Sequence, residues 1–384
     1  MSVKILNVAH QTADAWVAFD EQDGFDYYYG GTRMVPPDTQ ASSVINILSR
    51  LMSEESAFKN GLINIALSNG VLGDYDGRIP EGFMQSRVGG ARCIIRPRDD
   101  STYAVLQNPA NQGFNETIRG VFEKLGEVLN SHNGIVKLTP DFGRYAALAD
   151  LLAVYTPHVL GIRCEDGGCG GKSSYAATGI ITALEALNIS DYQRKPITLI
   201  GSAGALGSDV LKYLVDCKFE DIAVCDLVYD DGSVEPPTDV LKFQSEKGAF
   251  TKDCLSRGGM IIATTFGEEL ENSLWQAIPP GSVLVLAHNL SIPLGDRGVS
   301  VMRAIAERNV YSFPGQVLTL GGALTSRLEW FWRKSRPHTP FDKPLAHAVV
   351  RDVEGHLVSR VSKLVTSLNV TPFEAMLHFA RTNA

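Results

Sequence analysis

No stretch of this 384-residue chain approaches the ~20 consecutive apolar residues of a membrane-spanning helix. Its first residues also lack the basic-then-apolar layout of a secretory leader, so a cytoplasmic protein is expected. Cysteine is thinly spread: Cys93, Cys164, Cys169, Cys217, Cys225 and Cys254 form no CxxC pair, and no His/Cys grouping has the spacing of a zinc site. Reduced thiols and no metal follow as expectations. Basic residues are outnumbered, 35 against 43 acidic, and the net charge of −8 argues against nucleic acid or an anionic membrane as the main partner. Internal repeats and low-complexity segments are missing too. What is left is an ordinary globular composition, 44% hydrophobic and 20% charged, at a length that suits two domains.

Residues 197–227 carry the most specific pattern. An apolar run, Ile197 to Ile200, reads as a buried parallel strand and breaks into Gly201-Ser202-Ala203-Gly204-Ala205-Leu206-Gly207. An amphipathic segment follows (Val210, Leu211, Leu214, Val215), then a second apolar run, Ile222 to Cys225, ending on Asp226. Strand, glycine turn, helix, strand and acid is the order of a dinucleotide-binding βαβ unit. Glycines let peptide N–H groups at a helix N-terminus approach a pyrophosphate, where the helix dipole favours negative charge. Asp226 lies 19 residues past Gly207, near the ~20 expected for an acid on the adenosine ribose, and an acid there favours NAD over NADP. Aligned on Gly204 and Gly207, the first glycine of G-x-G-x-x-G is Ser202, with Gly201 just before it. A bare structural βαβ turn is the competing reading.

Before this unit, short apolar runs (Val3 to Val8, Ala15 to Phe19) lead through Tyr27-Tyr28-Tyr29 into Gly30-Gly31-Thr32-Arg33. Helical spacing predicts helices over 41–52, 115–130, near 144–155 and over 174–187, with strands at Ala91–Ile95 and Ile135–Leu138. Residues 68–90 and 100–113 read as irregular. Further strands are expected at 259–264, 282–287 and 310–313, and helices over the last seventy residues. The expected fold is α/β in two domains. A doubly wound Rossmann-type domain covers 151–319, and an α/β substrate and dimerisation domain covers 1–150, with 320–384 returning to it.

Several residues invite a chemical role. Gly167-Gly-Cys-Gly-Gly-Lys172-Ser173 resembles a P-loop, but Asp166 stands where the first glycine belongs, so an interdomain hinge facing the cofactor is the better reading. Gly30 and Gly31 bring backbone amides near a substrate carboxylate, or simply form a turn. Asp141 follows a strand and precedes a helix, as a general acid/base or an N-cap would. Lys59 and Arg92 are cations beside glycine-rich turns; spacing alone reads them as solvated. His288 and Asn289 follow a strand on the carboxyl side of the second sheet, where ligands bind in doubly wound folds or where an Asn holds a loop. Gly321-Gly322 is a turn or a wall of the cleft.

In this order the motifs resemble the glutamate/leucine/phenylalanine/valine dehydrogenase family, most closely its leucine/phenylalanine branch. The matching blocks are YGGTRM (29–34), LSRLM…FKNG (48–61), GGARCII (89–95), LTPDFG (138–143), VLGI…GG (159–168), AATGIITALEAL (176–187), ATTFGEELENS (263–273), LAHNLS (286–291) and PGQVLTLGG (314–322). The resemblance implies reversible oxidative deamination of an L-amino acid with NAD in a cleft between two domains, in a self-associating protein. It implies that Gly30 and Gly31 line the substrate main chain while Tyr29, Ala323 and Ser326 shape its side-chain pocket. Lys59 aligns with a lysine that holds the substrate carboxylate, Asp141 with the catalytic aspartate, and Asn289 with a cleft asparagine. Thr264 belongs to a block flanking the cofactor. The family's nicotinamide-binding threonine aligns with Ala176, and Thr178 is its neighbour. The family's catalytic lysine, last in a GGGK turn, is Arg92 here. That lysine exchanges protons with water and the imine; arginine, with a pKa above ~12, does not.

The leading expectation is therefore an NAD-dependent oxidoreductase acting on a small amino or imino acid, with Asp141, Arg92 and Lys59 as the catalytic set. Reduction of a preformed imine is a variant that needs no water-activating lysine. A redox-neutral condensation or rearrangement of an amino-acid-derived substrate, and a non-catalytic nucleotide- or amino-acid-binding homologue, are the alternatives.

Overall fold

The computed structural model describes residues 3–73, 75–108, 110–142, 147–245, 251–265 and 273–383. Gly143 of the LTPDFG block, the start of the helix expected near 144–155, and residues 266–272 of the ATTFGEELENS block lie outside them. The chain forms two compact units. The first comprises Met1–Lys172 and Ala323–Ala346, the second Ser173–Gly322 and His347–Ala384. The boundary thus falls after Lys172 and not after residue 150, because 151–172 is tied into the first unit: the Leu160 N–H donates to Leu138 O at 3.0 Å. Of the C-terminal region, only 323–346 returns to the first unit.

The first unit holds a five-stranded sheet in the order β1-β2-β4-β3-β5. These strands are β1 (Val3–Ala9), β2 (Ala13–Asp20), β3 (Tyr27–Met34), β4 (Val88–Pro97) and β5 (Val136–Pro140). β1, β2 and β4 run antiparallel in sequence, whereas β3 lies parallel to both β4 and β5. The helix Phe114–Ser131 carries Ile118, Val121, Phe122, Leu125 and Leu129 at helical spacing onto one face, where they meet Val17, Phe19, Ala91 and Cys93. The helix Ala41–Arg50 continues into a π-helical stretch, Leu51–Ala57, and then the helix Phe58–Ser68. Residues 100–107, expected as loop, form a helix instead; Asp99 caps it by accepting the Thr102 N–H at 2.7 Å, a start signal among turn-forming residues that apolar periodicity overlooks.

The second unit holds six parallel strands in the order β11-β10-β9-β6-β7-β8. They are β6 (Ile197–Ile200), β7 (Ile222–Cys225), β8 (Leu241–Phe243), β9 (Met260–Ala263), β10 (Val283–Leu286) and β11 (Tyr311–Phe313). β6, β7 and β9 are buried throughout, as their unbroken apolar sequences require. From β6 the chain builds outward through β7 and β8, then crosses back to place β9 on β6's other side. The strand order therefore reverses between β6 and β9, the point at which doubly wound sheets open a binding crevice. β8 is short and mostly exposed, which explains why no apolar run announces it.

Candidate functional site

In the first unit the parallel register brings Gly31 opposite Thr139 and Thr32 opposite both Pro140 and Cys93, the residue after Arg92. Arg92 is buried. Its Nη1 donates to Glu55 Oε1 at 3.2 Å, while Nε and Nη2 are buried with no hydrogen-bond partner among the described residues. Glu55 sits on the π-helical stretch and also pairs with Arg33 Nη2 at 3.5 Å. Burial alone would raise the Glu55 carboxyl, but Arg92, Lys59 and Arg33 outweigh it and hold the group below its ordinary value. Burial likewise opposes the Arg92 charge, and Glu55 and Asp141 outweigh that, holding the guanidinium above its usual value. The cost of burying two N–H donors unpaired is recovered when an anion accepts from them. Lys59, one turn beyond Glu55, is buried as well. From spacing alone both cations read as solvated; the structure places both inside.

Asp141 follows β5 and is exposed. Its Oδ1 accepts the Thr32 N–H at 2.7 Å. A Cβ at Gly31 would lie 2.5 Å from Oδ2 and 2.8 Å from Oδ1, so only glycine there lets this carboxylate rest against β3. The buried Tyr29 hydroxyl donates to Ser326 Oγ at 2.8 Å and lies 3.0 Å from Thr139 Oγ1. It also accepts from Lys172 Nζ at 3.1 Å. Ala323 packs against the cluster of Tyr27, Tyr29, Val88 and Leu160. Asn60 Nδ2 donates to Tyr29 O and Gly89 O, clamping the strand before the Gly30-Gly31 pair. Lys172 is partly exposed. Burial of its amine disfavours the charge, but Tyr29, Asp141 and Cys169 more than offset this, and the ammonium is held above its ordinary pKa.

The loop that presents Lys172 is pinned from the helix Gly321–Ser335. Glu329 is buried, and its Oε2 accepts the Gly161 N–H at 2.7 Å and the Cys169 N–H at 3.1 Å. Burial raises its carboxyl above the ordinary value, against the pull of those donors and of Arg333.

In the second unit the glycine turn stands at the switch point. Thr264, just past β9, donates from Oγ1 to Ile200 O at 2.9 Å and Gly201 O at 3.0 Å. The helix Ala205–Asp216 follows with Gly204 as its N-cap, and Leu206 lies in its first turn. A Cβ at Gly207 would meet Gly201 O at 2.1 Å, so the helix sits hard against the turn. At Gly204 a Cβ would find a single neighbour, Gly201 O at 3.4 Å, leaving that side of the turn open. Asp226 ends β7 with Oδ2 on the Ala203 N–H at 2.9 Å, and Ser202 Oγ donates to the Tyr229 hydroxyl at 3.2 Å. A helix N-terminus with no side-chain cap, beside an acid, fits an adenine dinucleotide, its pyrophosphate on the helix N-terminus and its ribose near Asp226.

Thr178 bonds within the second unit, away from the glycine turn. Thr178 Oγ1 donates to Ser174 O at 3.0 Å and lies 2.7 Å from His347 Nδ1. Asn289 follows β10 and is half-buried. Glu55, Thr139 and Glu329 carry no signal in the sequence and become visible only when the strands are aligned; Lys172, read there as part of a glycine-rich hinge, bonds to Tyr29 in the substrate unit.

No protein-family model and no curated protein matches the sequence. Solved structures match over the whole chain. L-tryptophan dehydrogenase from Nostoc punctiforme is 14% identical with a TM-score of 0.63, covering 100% of this chain and 95% of its own. Leucine-bound hetero-hexameric glutamate dehydrogenase from Thermus thermophilus is 12% identical with a TM-score of 0.64, at 100% and 88% coverage. Plasmodium falciparum glutamate dehydrogenase is 11% identical with a TM-score of 0.62, at 100% and 82%. The chain therefore has the fold that these amino acid dehydrogenases share.

Proposed function

We propose that this protein is an NAD-dependent oxidoreductase acting at the C–N bond of a small amino or imino acid, in the manner of the leucine/phenylalanine dehydrogenase branch. The observation that carries the reading is Arg92: a buried guanidinium with two donor nitrogens unpaired among the described residues, close enough to Asp141 for their charges to interact. Such a fork suits a carboxylate held in two-point contact. The first unit would then bind the acid. Arg92, assisted by Lys59, orients its carboxylate, Gly30 and Gly31 border its main chain, and Tyr29, Ala323 and Ser326 border its side chain. Asp141, with Oδ1 committed to the Thr32 N–H, takes the proton from the substrate ammonium on Oδ2.

The second unit would hold the dinucleotide through the turn Gly201–Gly207, Thr264 and Asp226, with Thr178 and Asn289 as further contacts. NAD, when bound, supplies or accepts the hydride. An acid at position 226 disfavours a ribose 2′-phosphate, hence NAD over NADP. The resemblance also implies a homo-oligomer, which sizing with light scattering tests.

The decisive experiment follows NADH absorbance while the protein is offered L-amino acids with NAD, and α-oxo acids with ammonia or preformed cyclic imines with NADH. Turnover on one class of acid supports the reading. Product formation without any change in NADH sinks it in favour of redox-neutral chemistry.

A further inference from the structure

We infer that Lys172 is the proton-exchanging residue of the substrate site, the part that Arg92 is chemically unable to play; the inference rests on the proposed function. Chemistry at a C–N bond needs a group that gives a proton to nitrogen in one direction and takes it back in the other. A guanidinium stays charged throughout, so Arg92 can bind but cannot exchange. Lys59 is buried away from water. Lys172 differs from both. Its Nζ lies 3.1 Å from the Tyr29 hydroxyl, beside the Gly30-Gly31 pair, and is near enough to Asp141 for that carboxylate to stabilise its charge. As a residue it is also less buried than Lys59.

Its position is built, not incidental. Gly161 and Cys169 are fastened to the buried Glu329, and the Gly170 N–H donates to Ile162 O at 2.8 Å, which fixes the loop immediately before Lys172. Tyr29 itself is held by Ser326 and Thr139. Tyr29 takes up one of the three ammonium donors of Nζ.

In the reducing direction an Nζ–H bond breaks and a new N–H bond forms at the substrate's C=N nitrogen, while the carbon receives two electrons as hydride from the reduced nicotinamide. Lys172 is left as a neutral amine and regains its proton from water. In the oxidising direction Asp141 takes the first proton from the substrate ammonium, the carbon gives up its hydride, and the neutral Lys172 amine takes a second proton from nitrogen to leave the C=N bond.

The test uses the full chain and the substrate panel above, with circular dichroism and NAD calorimetry as folding and cofactor controls. Lys172→Met should lower kcat by about 100-fold or more, with a smaller change in KM and unchanged NAD affinity. Lys172→Arg keeps the charge and should be equally slow. Lys172→Cys alkylated with bromoethylamine rebuilds an amine of lower pKa. It should recover activity with the basic limb of the kcat profile moved to lower pH, a shift that a mere prop for Tyr29 would not produce. Unmodified protein treated with the same reagent controls for the native cysteines. An active parent with Lys172→Met or Lys172→Arg within about threefold of it, or a rebuilt amine with an unmoved profile, overturns the role of Lys172 alone. A parent with no turnover anywhere on the panel overturns the proposed function and this inference together.

Discussion

Around the glycine turn of the second unit, the polar groups are peptide N–H and C=O groups and short hydroxyls: Thr264 on Ile200 O and Gly201 O, Ser202 on Tyr229, and one carboxylate, Asp226, on the Ala203 N–H. Around Gly30 and Gly31 of the first unit they are charged side chains brought from distant segments: Glu55, Lys59, Arg92, Asp141 and Lys172. A site made of backbone is fixed once the strand, turn and helix form, and a side chain can damage it only by intruding. Where such charges are buried, as Glu55, Lys59 and Arg92 are, they are stable only as a set, because each one's desolvation is offset by the others. The two units should therefore fail differently under substitution.

The largest effect is expected at Arg92. Arg92→Ala leaves Glu55 buried without the Arg92 guanidinium, and removing one partner of a buried pair costs about 3–5 kcal/mol. The pH dependence should change with it. Burial works against the Glu55 carboxylate, yet its cations hold the folded pKa below the unfolded one, so its pairing is present at neutral pH and lost as pH falls through that lowered value. Without Arg92 the value rises and the loss begins at higher pH. Urea denaturation across an acid series reads both effects. A drop under about 1 kcal/mol with an unmoved acid limb would show that the pair is worth no more than a surface bridge and would break the contrast.

An intermediate effect is expected where a side chain intrudes on backbone. Gly207→Ala places a Cβ 2.1 Å from Gly201 O, which must move, at about 1–3 kcal/mol and with loss of NAD affinity. Gly204→Ala meets only one atom at 3.4 Å, and its N-cap backbone is ordinary, so it should cost less than about 1 kcal/mol. Thermal melts with calorimetric NAD titration separate the two. Equal destabilisation by both would deny that helix-to-turn contact is the sensitive point.

The same contrast explains what was legible in the residues. The second unit's motif is contiguous: strand, turn, helix and acid lie within 197–227, and β6, β7 and β9 betray themselves as unbroken apolar runs. In the first unit, Asp141 could be named because it follows a strand, and Gly30-Gly31 as a glycine pair after three tyrosines, although the pair lies inside β3 and not at the turn expected there. Arg92 and Lys59 could be named too, but not their burial, since a lone cation beside a glycine turn looks like surface until Glu55 is seen facing it. Glu55 stands within a helical pattern where an acid is unremarkable. Lys172 was visible as a lysine after two glycines, and what it touches is set by Tyr29, whose place depends on a segment 297 residues away at Ser326.

The smallest effect sharpens the contrast from the other side. Glu329 is a buried charge in the first unit used in the second unit's manner, as an acceptor for two peptide N–H groups. Glu329→Gln keeps a carbonyl acceptor for Gly161 and Cys169 and removes the cost of burying a charge, so its stability should stay within about 1 kcal/mol of the parent at neutral pH. The sign with pH is opposite to that of Glu55. Burial raises the folded Glu329 pKa above the unfolded one, so the parent is fully stabilised below the unfolded value and loses stability as pH rises through the folded value. The glutamine variant lacks that dependence. The parent should therefore gain on the variant as pH falls from neutral toward the ordinary carboxylate range. Paired urea titrations of the two proteins measure the difference directly. If the parent instead gains as pH rises, Glu329 is held as a favourable carboxylate by Arg333, 3.6 Å away, and the loop bearing Lys172 depends on charge after all.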